Sequence, residues 1–278
     1  MLSPRLALRG TAYYEDKDGY GVSPEAYATS LSSHNAQRLL IAGLHAPLGL
    51  QYGLSTVGGT RKGLVAGLAW DLGAHSLDLG LWRERDQYHR TQARYNQVGG
   101  NPAGQPLLDQ PVHLQRDFWS TRQSTQLHIK DTWRLLDDRL AIELGAKALD
   151  LDYEIAGARN PGDYIANRRP LIRDNWKDSF LPQAGLVYSF GRQQLFASWS
   201  QTLALPQGAD DIFSQASPAA PGPEAETAEN IEIGLRANHP TFNGVFALYS
   251  SRFDNRLQSY ASPVPGSGTT ETFFQNVG

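Results

Sequence analysis

The sequence predicts an all-β fold: an antiparallel up-and-down transmembrane β-barrel. Three observations predict it. Segments of about 10–15 residues alternate apolar and polar side chains with period two, longer than the roughly 5–6 residues usual for globular strands. Short and long connections between these segments alternate along the chain. The 278-residue sequence holds no run of about 18 apolar residues, so no helix reads as a membrane span. A barrel still fits the low mean hydropathy of −0.43, because lipid-facing and lumen-facing residues alternate and the signal averages away.

Ten strands are expected, over roughly 5–15, 63–72, 76–86, 117–134, 139–153, 177–190, 194–204, 227–238, 243–258 and 271–278. The pair at 122–153 is the clearest. Asp137 and Asp138 mark its turn, and Ile142, Leu144, Ala146 and Ala148 share one face while Glu143, Gly145 and Lys147 share the other. Past Ala148 the apolar phase moves to Leu149, Leu151 and Tyr153, which a bulge or the end of an apolar band explains. Leu77, Leu79 and Leu81 alternate with Asp78, Gly80 and Trp82. Ile231, Ile233 and Leu235 alternate with Glu232, Gly234 and Arg236. Short turns fall near 73–75, 136–138, 191–193 and 239–242. Long connections fall near 16–62, 87–116, 154–176, 205–226 and 259–270. Aromatics near strand ends, among them Tyr13, Tyr14, Trp70, Trp82, Trp119, Trp133, Tyr153 and Trp199, suit an interfacial girdle. A soluble sandwich or propeller also has short strands and turns, but its connections do not sort so cleanly into short and long.

Composition narrows the function classes. A net charge of −3 argues against nucleic-acid binding. The absence of cysteine removes disulfides, thiolate metal sites and cysteine nucleophiles. The N-terminus carries no signal-peptide pattern, since Pro4 and Arg5 interrupt it. The chain reads as starting and stopping in mid-strand, as an interior piece of a longer protein would.

Several motifs together carry a resemblance. In "FLPQAGLVYSFGRQQLFASWSQTLALPQ", Pro182, Gly185, Leu186, Leu195 to Ser200 and Pro206 follow a strand–turn–strand pattern. Glu226, Asn230, Glu232, Gly234, Leu235 and Arg236 come next, then a hairpin ending at Asp254, Asn255 and Leu257, then "FFQNVG". In order and spacing these resemble the barrel of TonB-dependent outer-membrane receptors, best from about Leu127 to Gly278. The resemblance implies a 22-stranded barrel, of which about ten strands are here. The plug domain, the TonB box and the C-terminal strands of the family are not in the sequence. It further implies an active outer-membrane transporter for a ferric siderophore or another scarce nutrient in a Gram-negative bacterium, energised through TonB by way of the plug. No enzyme activity or cofactor is expected. The expected partners are outer-membrane lipid, lipopolysaccharide, the TonB complex and a small molecule such as an iron chelate, with no nucleic acid. The alternatives are a passive porin-like or adhesin barrel, and a soluble β-protein.

Candidate site residues are few. Arg168, Arg169 and Arg173 of "NRRPLIRDNWKD" place positive charge on an outer loop, with Lys177 close by, and could attract an anionic ligand or lipopolysaccharide phosphate. An ordinary solvated loop has the same composition. Asp210, Asp211 and Phe213 give a second long loop the aromatic and polar groups of ligand capture. Glu143, Lys147, Glu232 and Arg236 read as polar residues of the lumen wall. "YEDKDGYGVSPE" sets Asp16, Asp18, Gly19 and Glu25 at calcium-loop positions, but Tyr14 occupies the first ligand position and a strand-to-loop exit explains it better. The seven histidines are scattered without metal-site spacing, and no G-x-S-x-G elbow occurs.

Overall fold

Nine strands pair in strict sequence order, each antiparallel to the last, in a computed structural model that describes residues 5–204, 223–263 and 270–277. They are β1 (Leu6–Glu25), β2 (Gln51–Asp71), β3 (His75–Gln97), β4 (Pro106–Leu135), β5 (Leu140–Ala158), β6 (Leu171–Phe190), β7 (Gln193–Ala204), β8 (Glu226–His239) and β9 (Phe242–Asp254). A second sheet pairs β10 (Arg256–Pro263) with β11 (Thr270–Val277). Two short helices, α1 (Tyr27–Gln37) and α2 (Pro161–Ile165), lie in the β1–β2 and β5–β6 connections. No helix among the described residues is long and apolar enough to cross a membrane. The sheet does not close: β1 and β9 are its edges.

The short turns all lie at one end, as the sequence predicts. Leu136, Asp137 and Asp138 are successively left-handed, with φ of 56°, 54° and 63°, a conformation that short polar side chains tolerate best. Between Phe190 and Gln193 only two residues intervene. Gly191 takes φ of 62° there, placing glycine at the first central position of a tight hairpin turn.

The two faces of the sheet differ. Leu8, Leu68, Leu79, Ile129 and Ala146 stand opposite one another as a single rung. So do Ile142, Leu186, Ala197, Ile233 and Leu248. This apolar face ends abruptly on the side of the long connections. Leu64 gives way to Lys62, Leu81 to Arg83, Leu127 to Thr125 and Ala148 to Asp150. The band so bounded is about nine residues deep on β5, the depth a tilted strand needs to cross a bilayer.

Strands run on past that boundary, which differs from the expected long loops. β1 continues to Glu25, β2 begins at Gln51, and β3 and β4 occupy most of 87–116. Beyond the band the outward face no longer has to be apolar, so the alternation that marks a strand fades while backbone pairing continues. The calcium-loop segment is accordingly strand, paired in register with β2 from Tyr14↔Lys62 to Glu25↔Gln51. The expected single strand at 243–258 breaks at Asn255, whose φ of 57° separates β9 from β10.

The phase change past Ala148 has a specific cause. β5 stays in phase with β4 throughout. At this height the opposite face becomes a packed core of Phe118, Leu151, Tyr153, Ile155 and Trp176. A bulge does occur, but in β6: Lys147 pairs with Leu181 and Leu149 with Asp178, so Ser179 and Phe180 oppose Ala148 alone. The extra residue turns Trp176 toward Tyr153, 6.5 Å between ring centroids, and Lys177 toward Asp150 on the other face. The expected aromatic girdle is likewise divided. Tyr14, Trp70, Trp119, Trp133 and Trp199 share the apolar face, while Tyr13, Trp82 and Tyr153 lie on the polar one.

Candidate functional site

The polar face is organised around β3. Asp78, Glu84 and Asp86 project from it, and the strands on both sides supply their partners. Arg9 donates to Asp78 at 2.8 Å and His128 donates to it at 2.7 Å. The Tyr13 hydroxyl donates to Glu84 at 2.6 Å, Arg61 at 2.7 Å and Arg122 at 3.3 Å. Lys17 donates to Asp86 at 3.0 Å. Trp82 completes the group by donating to the Tyr13 oxygen at 2.9 Å. Glu84 is only 3% exposed, so its charge depends on these partners.

β1 and β3 are not neighbours; β2 lies between them. Arg9, Tyr13 and Lys17 reach β3 because they stand opposite Gly67, Gly63 and Gly59. A Cβ on Gly63 would sit 2.3 Å from the Tyr13 ring, and one on Gly59 would meet the Tyr88 backbone at 2.5 Å. A glycine at every fourth position of β2 therefore opens the passage through which β1 side chains cross.

At the long-connection end the wall is capped. α1 is held by side chains rather than by apolar packing. Ser30 donates to Glu25 at 2.6 Å, His34 donates to the Val112 carbonyl at 3.0 Å, and the Gln37 amide pairs with both backbone groups of Leu114. Below it, Glu25 accepts from His113 at 2.6 Å and from Arg94 at 3.1 Å. Burial raises the Glu25 pKa, but hydrogen bonds from His113 and Ser30 and the Arg94 charge more than reverse this, leaving it at about 2. In α2, Asn160 caps the Asp163 N–H at 2.9 Å, and Asp163 pairs with Arg159 at 2.9 Å with both side chains fully buried. Burial pushes the Tyr164 hydroxyl up to about 12. The segment leading into β8 also packs against the wall, since Trp176 Nε1 donates to the Pro223 carbonyl at 3.2 Å.

These features describe a wall with one face suited to lipid, one lined with charge, and its elaborated loops at a single end. The family described as "TonB dependent receptor-like, beta-barrel" matches residues 2–278. The chain belongs to this family. Members of the TonB-dependent receptor family are outer-membrane proteins of Gram-negative bacteria, transporters and receptors rather than enzymes. Solved structures of similar fold include the ferric citrate transporter FecA in unliganded form (TM-score 0.62, 12% identity, covering 92% of this chain and 33% of that one). The copper transporter OprC gives a TM-score of 0.68 at 13% identity, over 99% and 40% of the two chains. The siderophore receptor PiuA from Acinetobacter baumannii gives 0.58 at 16% identity, over 89% and 38%. The chain thus spans about a third to two fifths of the length of these structures. No curated protein matches it significantly.

Within the TonB-dependent receptor wall, the expected loop cations do not converge. Arg168 pairs with Asp163 at 3.3 Å, and the Arg169 guanidinium lies 4.6 Å from the centre of the Tyr164 ring. Arg173 belongs to β6, on the side of the apolar face, and pairs with Glu154 at 2.6 Å. Lys177 pairs with Asp150 at 2.8 Å. Asp210, Asp211 and Phe213 lie outside the described residues. Glu143, Lys147, Glu232 and Arg236 do face the polar side, with Glu143 3.3 Å from Lys130 and Arg236 3.0 Å from Gln194. The carboxylate row of β3 and the Glu25 cluster were not anticipated. The four-residue glycine spacing in "GGTRKGLVAGL" is the signal that could have found the first.

Proposed function

We infer that this chain forms part of the barrel wall of an outer-membrane active transporter, which takes up a ferric siderophore or another scarce nutrient and is energised through TonB. The observation that carries the reading is the division of one sheet into a lipid-depth apolar face and a polar face tied by buried charge, with every elaborated connection at one end. In lipid, backbone groups must pair internally, and an antiparallel wall that joins further strands at its β1 and β9 edges does so. The polar face suits the lining of a lumen that holds a plug domain, through which the TonB complex acts. The domain reading follows: residues 1–278 are a partial receptor barrel, with the plug, the TonB box and further strands supplied by the rest of the receptor. The long-connection end faces outward and meets the ligand first. Arg168, Arg169 and Arg173, with Asp210, Asp211 and Phe213, are its candidate ligand contacts. Outer-membrane lipid and lipopolysaccharide surround the apolar face.

Two measurements test this. Cells lacking the gene should take up less of at least one labelled ferric siderophore, and collapsing the proton gradient in wild-type cells should remove the same uptake. Unchanged uptake across an iron-chelate and nutrient panel, or uptake indifferent to the gradient, would favour a passive barrel. Placement in the membrane is tested separately. Leu79→Arg, in the middle of the apolar band, should destabilise the folded protein by about 2–4 kcal/mol, whereas Gln87→Arg, on the same face of β3 above the band, should cost about 0–1. Equal effects would remove the lipid-facing reading.

A further inference from the structure

Around β3 the arginines of the polar face meet carboxylates: Arg9 donates to Asp78, and Arg61 and Arg122 both donate to Glu84. The short-turn rim between β5 and β8 breaks this pattern. One row across the face there reads Arg139, Ser189, Gln194 and Arg236. It is fixed by the bond from the Ser189 N–H to the Arg139 carbonyl at 2.7 Å and by the register of β6, β7 and β8. At the turn tips the Asn238 N–H donates to the Arg192 carbonyl at 3.0 Å, which sets a third arginine beside this row. All three arginines are exposed, and none has a carboxylate partner among the described residues. Arg139 donates to the Leu136 carbonyl at 3.0 Å and Arg236 to the Gln194 amide oxygen at 3.0 Å. The Arg192 side chain has no hydrogen-bond or ion-pair partner among the described residues. Asp137 and Asp138 share a turn with Arg139 but form no ion pair with it, and Glu232 lies about 13 Å along β8 from Arg236.

The uncompensated charge adjoins a hollow. A cavity of about 340 Å³ opens between the β6–β7 and β8–β9 turns, lined among others by Ser189, Arg192, Gln194, Asn238 and His239, and no acid lines it. Guanidinium groups bind carboxylates through paired hydrogen bonds, and amides and a hydroxyl bind peptide amides and sugar hydroxyls. Three strand spacings separate Arg139 from Arg236, about 14 Å, which is the reach of an extended peptide of about four residues. With the long-connection end outward, as proposed above, this rim faces the periplasm. Ser189, Gln194 and Arg236 lie on the polar face, so phospholipid headgroups against the apolar face do not reach them.

We propose that this rim binds the peptide stems of the cell wall, with Arg139, Arg192 and Arg236 holding their free carboxylates and the hollow accepting a stem end. A short peptide bearing several carboxylates matches three separated guanidinium groups, and the glycan that carries it repeats the same ligand many times beneath the membrane. Each contact can then be weak and still tether the receptor. The proposal rests on the membrane orientation argued above but not on transport.

The test uses the receptor extracted from outer membranes in mild detergent and co-sedimented with purified cell-wall sacculi, native or with their carboxyl groups converted to neutral amides. The wild-type protein should sediment with native sacculi. The Arg139→Gln, Arg192→Gln, Arg236→Gln triple variant should bind them at least tenfold more weakly, and the wild type should bind the amidated sacculi about as weakly. Lys62→Gln, Arg83→Gln and Arg85→Gln together remove equal charge from exposed positions on the other face and should change binding less than threefold. Equal affinity of the wild type for native and amidated sacculi would overturn the proposal, and that arm needs no variant to fold. An equal loss in the control variant, or a wild type that does not sediment at all, would overturn it as well. So would a triple variant that keeps its hold on sacculi but loses binding to the periplasmic domain of TonB, since the rim would then serve the energising partner. A receptor that binds sacculi as predicted but imports nothing would refute transport alone. A protein absent from the outer membrane would refute both.

Discussion

Tyr13 reaches across Gly63 to donate its hydroxyl to Glu84 at 2.6 Å, joining two strands that do not touch through their backbones. The contact makes β1, β2 and β3 a single three-strand unit on the polar face. Its existence depends on the missing side chain of β2 as much as on the two groups that meet.

Gly63→Val should therefore break the contact without altering either partner. Its Cβ would occupy the position of the Tyr13 ring, and overpacking of this kind costs about 1–3 kcal/mol. Thermal unfolding in detergent micelles measures it. In a Tyr13→Ala background the valine should cost less than 1 kcal/mol, because the ring it displaces is gone. Additive losses would show that the glycine serves backbone pairing instead.

Glu84 is the centre of the same network, and its removal leaves two guanidinium groups facing each other. Glu84→Ala should destabilise the folded protein by about 3–5 kcal/mol, the usual result of breaking a buried pair from one side. Replacing Arg61 and Arg122 by leucine together with Glu84→Leu should recover much of this, since no buried charge then lacks a partner. A single alanine variant that melts with the wild type would show Glu84 to be solvated and independent of its neighbours.

At the far end of β1, Glu25 makes stability depend on pH. It lies roughly 35 Å along the strand beyond Tyr14, well outside the lipid band. Its folded pKa of about 2 lies below the ordinary value of 4.5, so its contribution is complete above pH 4.5 and is lost as pH falls from there toward 2. The shift corresponds to about 3 kcal/mol. Wild type and Glu25→Gln should differ in melting temperature at pH 7, and the difference should shrink between pH 4.5 and 2. Protease cutting within residues 26–50 should increase in parallel, because Ser30 is tied to the same carboxylate. A difference that stays constant over this range would dissociate the carboxylate charge from the anchoring of α1.

The half of the fold nearest the short turns was legible in the sequence, and the other half was not, for a physical reason. Within the apolar band one face must be lipid-compatible, so Ile142, Leu144, Ala146 and Ala148 announce their strand. Above the band no such demand exists. Lys17, Asp86, Thr91 and Gln92 sit in well-paired strands whose composition is that of a loop. The motif residues were found without their roles. Glu226 accepts the Leu257 N–H at 3.1 Å, and the Asn276 amide binds both backbone groups of Glu224 and the Asn255 carbonyl, so together they hold the kink where β9 becomes β10. The arginines at 168, 169 and 173 looked free because their partners are set by strand register and by the fold of α2, neither of which local composition encodes.

The continuation of β1–β4 for about ten residues or more beyond the apolar band, at least roughly 30 Å of paired strand, bears on the ligand capture proposed above. Flexible loops would have to be ordered around a ligand, and the lost conformational freedom would subtract from affinity. Here much of that ordering is completed when the protein folds, by backbone rungs and by the tethering of α1 through Ser30, His34 and Gln37. Under the proposed uptake, selectivity would reside in a preorganised palisade, and sequence drift in the remaining loops would retune the ligand while the entropy of capture stayed nearly fixed.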